Sequence, residues 1–223
     1  MPPWLSGGRV CSRPIRNSVR RWLRAWGARV GRAPPAAARH VAGAGGVADE
    51  VVAADVAASD AVHWQPVYVA LGSNLGDPCA SVERAIASIA TLPQTRSWRR
   101  SPLYRTVPFG PVKQADFINA VVGVLTQTPL EDFFAALQQL ETKLGRATRH
   151  ERWGPRVIDL DLLVYGCERR DTASLRLPHP GISERDFVLY PLRDVAADLY
   201  IPGLGRVCEL AERVSDRGVQ RLA

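Results

Sequence analysis

The residues Ile158-Asp159-Leu160-Asp161-Leu162 set two carboxylates at alternate positions inside an apolar run. Side chains of a strand alternate between its faces, so Asp159 and Asp161 project to one side while Ile158, Leu160 and Leu162 face the core. Two like charges side by side on a sheet repel unless a cation sits between them. Mg²⁺ suits such a pair, because it takes oxygen ligands and keeps positions for water and phosphate. Taken alone, the pattern fits an amphipathic edge strand with a solvated face equally well. Just upstream, Arg146, Arg149, Arg152 and Arg156 fall within eleven residues that hold one acid, Glu151. Gly145, Gly154 and Pro155 make this stretch a loop. Guanidinium forks match phosphate oxygens, so cations beside an acid pair point to a metal-bound nucleotide; an Arg-rich loop by itself is also consistent with a solvated surface or a nonspecific nucleic-acid patch. The common nucleotide devices are missing: there is no G-x-x-x-x-G-K-[ST] loop around Lys113 or Lys143, and no kinase H-R-D or D-F-G set.

Composition narrows the chemistry further. The 223 residues include only four histidines, which argues against an imidazole metalloenzyme. Cys11, Cys79, Cys167 and Cys208 lie far apart with no C-x-x-C spacing, the pattern of reduced thiols in a cytosolic protein rather than of disulfides or a zinc site. No segment approaches the roughly 18 uninterrupted apolar residues of a membrane span. The formal charge of +7 is concentrated early: residues 1–64 hold nine arginines against four acids, and the remainder twenty basic against eighteen acidic residues.

The first 64 residues are rich in Arg, Ala, Gly and Pro and contain no acid before Asp49. They carry too little apolar patterning to offset ordering entropy and are expected to be a disordered extension, with a short helix between Val19 and Val30 as an option. A transit peptide, a twin-arginine signal at Arg20-Arg21, a nucleic-acid or membrane contact and a dispensable extension are all open readings; no export core follows Arg21. The letters Gly43-Ala44-Gly45-Gly46-Val47-Ala48 mimic a dinucleotide fingerprint but follow no strand.

The elements that would position the acid pair begin near Pro66. Val67–Leu71 reads as a buried strand entering the turn-rich Gly72–Gly76, and Asp77-Pro78 starts a helix with Val82, Ile86 and Ile89 on one face. Extended segments are expected at Ser101–Thr106 and Phe117–Leu125. Thr128-Pro129-Leu130-Glu131 spells a capping box for a helix that buries Leu130, Phe133, Phe134, Leu137 and Leu144 and stops at Gly145. Strands at Val157–Tyr165 and Leu175–Leu177 and a helix at Val207–Val214 complete the reading. The order predicts an α+β sandwich with a mainly antiparallel sheet, in one domain over residues 65–223.

Five segments occur in order: Leu71-Gly72-Ser73-Asn74-Leu75-Gly76-Asp77; Ser101-Pro102-Leu103-Tyr104-Arg105-Thr106; Phe117-Ile118-Asn119-Ala120; Arg152-Trp153-Gly154-Pro155-Arg156 with Asp159-Leu160-Asp161; and Leu177-Pro178-His179-Pro180 with Arg185-Asp186-Phe187-Val188-Leu189. Over about residues 66–203 the chain resembles the 6-hydroxymethyl-7,8-dihydropterin pyrophosphokinases. The resemblance implies a ferredoxin-like fold and transfer of the β and γ phosphates of ATP to the pterin hydroxymethyl oxygen, leaving AMP. It implies that Asp159 and Asp161 bind two Mg²⁺ ions and that Arg146 and Arg156 act catalytically on the phosphates, with Arg152 and Trp153 closing over the site. Gln138, Glu141, Arg152, Arg156, Leu162, His179 and Arg185 would contact ATP. Gly72, Val107, Phe109, Phe117, Asn119, Trp153 and Phe187 would hold the pterin, the rings of Phe117 and Phe187 sandwiching it and the Asn119 amide reading its polar edge. Thr148 and Gly181 stand where some members have arginine, which implies fewer phosphate contacts, and Phe117 stands where some have tyrosine.

These readings imply a cytoplasmic monomer that acts on ATP and a pterin, with no membrane or nucleic-acid partner. Two competing readings make different predictions. An electrostatic nucleic-acid module would be salt-sensitive and indifferent to Asp159. A D-x-D glycosyltransferase would need Mn²⁺ and bind no pterin.

Overall fold

Gln65–Ser73 forms strand β1, whose Val67–Leu71 segment is buried on both sides. In this computed structural model the described residues are 63–110, 113–145 and 154–222. The expected extension, up to residue 62, and the loop residues Arg146, Thr148, Arg149, Arg152 and Trp153 lie outside them.

Helix α1, Pro78–Ala90, starts where the sequence places it: Asp77 Oδ1 accepts the Ala80 N–H at 3.0 Å and Pro78 fills the first turn. The chain returns through β2, Thr95–Arg100, and β3, Tyr104–Thr106, and enters β4, Phe117–Thr126. Of the extended segment expected at Ser101–Thr106 only Tyr104–Thr106 is strand, and β2 before it was not expected. Ser101 makes the join, its N–H donating to Val121 O at 2.9 Å and its Oγ accepting from Val121 N at 3.0 Å.

Helix α2 spans Leu130–Lys143. The expected capping box does not form, since Pro129 is the cap residue and Thr128 Oγ1 donates instead to Pro93 O at 3.0 Å, tying the helix start to the end of α1. Leu130, Phe133 and Leu137 are buried on the inner stripe, each side chain contributing roughly 1.5–3 kcal/mol. Strand β5, Asp159–Tyr165, follows, then the β6–β7 pair, Arg170–Asp171 and Arg176–Leu177.

The main sheet has six strands in the order β10 (Gln220–Arg221), β3, β4, β1, β5, with β2 also on β4. Its β-strand pairings are all antiparallel, as expected for a ferredoxin-like arrangement. One face, carrying Leu71, Ile118, Leu160 and Leu162, packs on α1 and α2. The other, carrying Tyr68, Ala70, Val121 and Leu163, is covered by two helices, α3, Asp186–Ala196, and α4, Val207–Arg213. Eight of the ten residues of β4 are buried, the near-continuous apolar run required of a strand covered on both faces. Helix α3 was not expected from the sequence, because Pro191 sits inside it; Val188, Leu189, Leu192 and Val195 nevertheless keep helical spacing and are buried. The β8–β9 pair, Tyr200–Ile201 and Gly205–Arg206, precedes α4, and β10, Gln220–Arg221, closes the chain against β3.

Candidate active site

Register across the sheet assembles the site. Gly72 of β1 lies opposite Asn119 of β4 on one side and Asp159 of β5 on the other. Ala70 is likewise opposite Val121 and Asp161, and Phe117 is opposite Thr106. Residues directly opposite one another share a face, so Phe117, Asn119, Asp159 and Asp161 rise from the same side of the sheet, beyond the start of α3. The aliphatic neighbours of the two aspartates turn into the opposite core, as the alternation requires.

The first residues of α3 and the β3–β4 loop wall this patch into a cleft of about 370 Å³. It gathers Gly72, Val107, Phe109, Phe117, Asn119, Arg156, Asp159, Asp161, His179, Arg185 and Phe187, all singled out from the sequence, and adds Thr106 and Gln114. Gln138 and Leu162 do not line it, nor does Glu141. Leu162 is 2 % exposed and its side chain belongs to the core under α1 and α2, so any ligand contact there falls to its main chain. Glu141 is buried too, and its Oε1 accepts the Leu160 N–H at 2.6 Å, fastening α2 to the edge of β5. Gln138 is exposed on the same helix. The expected roles of Arg146, Arg152 and Trp153 fall outside the described residues.

At the aromatic end, Asn119 is buried and its Nδ2 donates to Thr106 Oγ1 at 2.8 Å. Its Oδ1 leans over Gly72, where a Cβ would meet it at 3.0 Å and the Phe117 ring at 4.0 Å. Glycine at 72 therefore makes room for the Asn119 amide. Phe109 and Phe187 meet with ring centroids 5.9 Å apart and planes tilted by 60°.

At the charged end, Arg156 pairs with Asp159, and Arg185 approaches Asp161 at 3.7 Å. Burial, and then the Asp159 charge, push the Asp161 carboxyl above its usual range, against the opposing pull of His179, Arg185 and Arg156. Burial likewise lowers the His179 pKa, opposed by Asp161. His179 Nδ1 accepts from Gly181 N–H at 3.1 Å, which leaves Nε2 to carry the proton of the neutral ring. Gly181 also makes room for Arg185, whose guanidinium carbon lies 2.7 Å from where a Cβ would stand.

Asn74 is the organiser that the sequence reading quoted without a role. It is 4 % exposed; its Oδ1 accepts from Arg156 N at 2.8 Å, and its Nδ2 donates to Gln114 Oε1 at 2.9 Å and Ala115 O at 3.1 Å. One amide thus ties the Arg156 backbone to the approach to β4. The available signal was a buried-type position for an amide within a glycine turn, Gly72–Gly76, where an unmet hydrogen-bonding group is costly.

The acid pair fits Mg²⁺. Among the described residues no cluster of three or more His, Cys, Asp or Glu forms an all-protein cage. Two carboxylates on one face, repelling each other, match a hard cation that completes its shell with phosphate and water.

The chain matches the family model described as 7,8-dihydro-6-hydroxymethylpterin-pyrophosphokinase over residues 68–197. It is 42 % identical over 158 residues to a 2-amino-4-hydroxy-6-hydroxymethyldihydropteridine pyrophosphokinase of Pseudomonas aeruginosa, covering 71 % of this chain and 97 % of that one. A Haemophilus influenzae protein of the same name is 36 % identical over 155 residues, covering 70 % and 96 %. Among solved structures, a Plasmodium falciparum HPPK-DHPS with STZ-DHP shares the fold at a TM-score of 0.55 and 12 % identity; the match covers 70 % of this chain and 46 % of that one, so this chain spans less than half the length of that structure.

Proposed function

The chain belongs to the 7,8-dihydro-6-hydroxymethylpterin-pyrophosphokinase family, and we propose that the cleft above Gly72, Asn119 and Asp159 is where it transfers pyrophosphate from ATP to a hydroxymethyl-dihydropterin in folate biosynthesis. The observation that carries the reading is the division of a single cleft into an aromatic, amide-bearing end and an end with two carboxylates and two guanidiniums.

At the first end the rings of Phe117 and Phe187 take the faces of a flat heterocycle, while Asn119 presents its amide to the polar edge. The Thr106 contact fixes which way that amide points, and Gly72, Val107 and Phe109 complete the wall. At the second end Asp159 and Asp161 would hold the two Mg²⁺ ions. When bound, Mg²⁺ supplies charge neutralisation to the phosphates of ATP. Arg156 and Arg185, which pair with the two aspartates, offer guanidinium forks to phosphate oxygens. Arg146, Arg152 and Trp153 are assigned from the family resemblance to close the loop over the phosphates and exclude water. His179 is a donor to phosphate through Nε2, with Gln138, Glu141 and the Leu162 main chain on the ATP side of β5.

The pterin hydroxyl oxygen forms a bond to the β-phosphorus as the bridge between the α and β phosphates breaks; the hydroxyl proton is lost, and AMP leaves with the bridging oxygen. Positioning and charge account for the rate without a covalent intermediate. Among the described residues no helix is long and apolar enough to cross a membrane. We place the protein in the cytoplasm as a monomer, in keeping with the free thiols of Cys79, Cys167 and Cys208.

The test incubates the full chain with ATP and 6-hydroxymethyl-7,8-dihydropterin, with Mg²⁺ or with excess chelator. The expected products are AMP and the pterin diphosphate in equal amounts, and only with the metal. ADP as the product, or transfer in chelator, would contradict the reading.

A further inference from the structure

The aromatic wall of the cleft has a second side. Behind Phe109 and Phe187 lies another cavity of about 330 Å³, bounded by the β3–β4 loop, Asp186 and the C-terminal residues Arg217 and Val219. The Arg217 guanidinium carbon stands 4.6 Å from the Phe109 ring centroid, and Phe109 in turn meets Phe187. A second connection runs through Asp186, which is 2 % exposed. Its Oδ1 accepts from Phe187 N at 2.8 Å and its Oδ2 accepts from Arg217 N at 2.7 Å. One buried carboxylate therefore joins the first turn of α3 to the backbone of residue 217.

The tail that carries Arg217 is itself held at several points. Asp216 Oδ1 accepts from Gly218 N at 2.8 Å and Val219 N at 3.2 Å, shaping a turn in which Gly218 has φ +90°. Beyond it, β10 pairs with Tyr104–Arg105 of β3, and Leu222 N donates to Leu103 O at 2.8 Å. Both elements that carry the wall, β3 with its following loop and α3, are thus tied to the same short C-terminal stretch, which lies outside residues 68–197 of the family match.

We propose that residues 214–222 form a strut for the pterin end of the cleft and that Arg217 is a positioning residue, setting the Phe109 ring from behind while touching no substrate. The inference rests on the pterin assignment above. A cation over a ring face restricts that ring's tilt. Losing it loosens one wall of the heterocycle site and leaves the aspartates and guanidiniums at the far end in place. The signature is therefore a split between substrates rather than a general loss.

The experiment measures pterin binding by fluorescence, together with KM for each substrate and kcat, in wild type, Arg217→Ala and Arg217→Lys. In Arg217→Ala the pterin Kd and KM are expected to rise about threefold to tenfold, the size that a lost cation–π contact supports, with the ATP KM and kcat within about twofold. Arg217→Lys, which keeps the cation, is expected to recover part of the affinity. Unchanged pterin affinity in Arg217→Ala, or an equal loss for both substrates, would overturn the strut. Wild type that binds no pterin would overturn the pterin assignment and this inference with it.

Discussion

Replacing Gly72 by alanine perturbs the cleft by a single methyl group. The new Cβ would stand 3.0 Å from Asn119 Oδ1, whereas ordinary contact begins at 3.4 Å, so the amide must retreat by about 0.4 Å. It cannot retreat freely, because Nδ2 is tied to Thr106 Oγ1 at 2.8 Å in a buried setting. Stretching or breaking that bond costs about 0.5–1.5 kcal/mol, and the amide no longer meets the pterin edge in its set orientation. The expected result is a rise of about threefold to tenfold in pterin KM, with the ATP KM unchanged. Global stability should hardly move: the lost contact is offset by about 0.4–1 kcal/mol from removing a glycine whose φ is not positive. The assay is steady-state kinetics with each substrate varied, beside a thermal melt, for Gly72→Ala alone and in an Asn119→Ala background. Because the clash acts through Asn119, the effect should largely vanish in that background. An undiminished pterin KM effect there, or none in the single variant, would refute the reasoning.

Other outcomes follow from the charged end and the core. Asp161→Asn should cut turnover about 10²- to 10³-fold, the scale of losing an electrostatic partner of the reacting group, and yet raise the melting temperature of the ligand-free protein at pH 7. The sign comes from linkage: with its folded pKa raised above 3.8, the carboxyl binds its proton more tightly in the folded state, so stability falls as pH rises through that window, and the ionised form is costly at neutral pH. The gain should close as pH drops below 3.8, which melts across pH will check. Leu162→Ala should cost about 2–5 kcal/mol in denaturant titrations through the cavity it leaves under α1 and α2, while the ATP KM of the folded fraction stays near wild type.

What was legible in the sequence was what depends on local alternation. The shared face of Asp159 and Asp161, the buried run of β4 and the apolar stripe of α2 each follow from period and residue type, and the structure bears them out. Helix α3 was hidden by Pro191, although its apolar spacing was intact. Strand β2 was hidden because Thr95–Arg100 is polar and five of its six residues are exposed, leaving no alternation to detect; its pairing with β4 supplies the order. The capping box at Thr128 had the right letters, but Pro93 O competed for the hydroxyl. For the site, residue types told which chemistry was present, while the Asn74 amide, the Thr106 hydroxyl and the Asp186 link to Arg217 are contacts across 13 to 82 positions that no local pattern encodes. The burial of Leu162 follows from the same alternation that pairs the aspartates, whereas that of Glu141, held by the Leu160 N–H, is settled by packing.

The most direct test of the two-ended cleft is AMP formation by Asp159→Asn, read beside pterin binding by the same variant. The account predicts that AMP formation falls about 10²- to 10³-fold while the pterin still binds within about twofold of wild type, since Asn119, Phe117 and Phe187 are untouched. Near-wild-type AMP formation, or loss of pterin binding in a variant that remains folded, would contradict it.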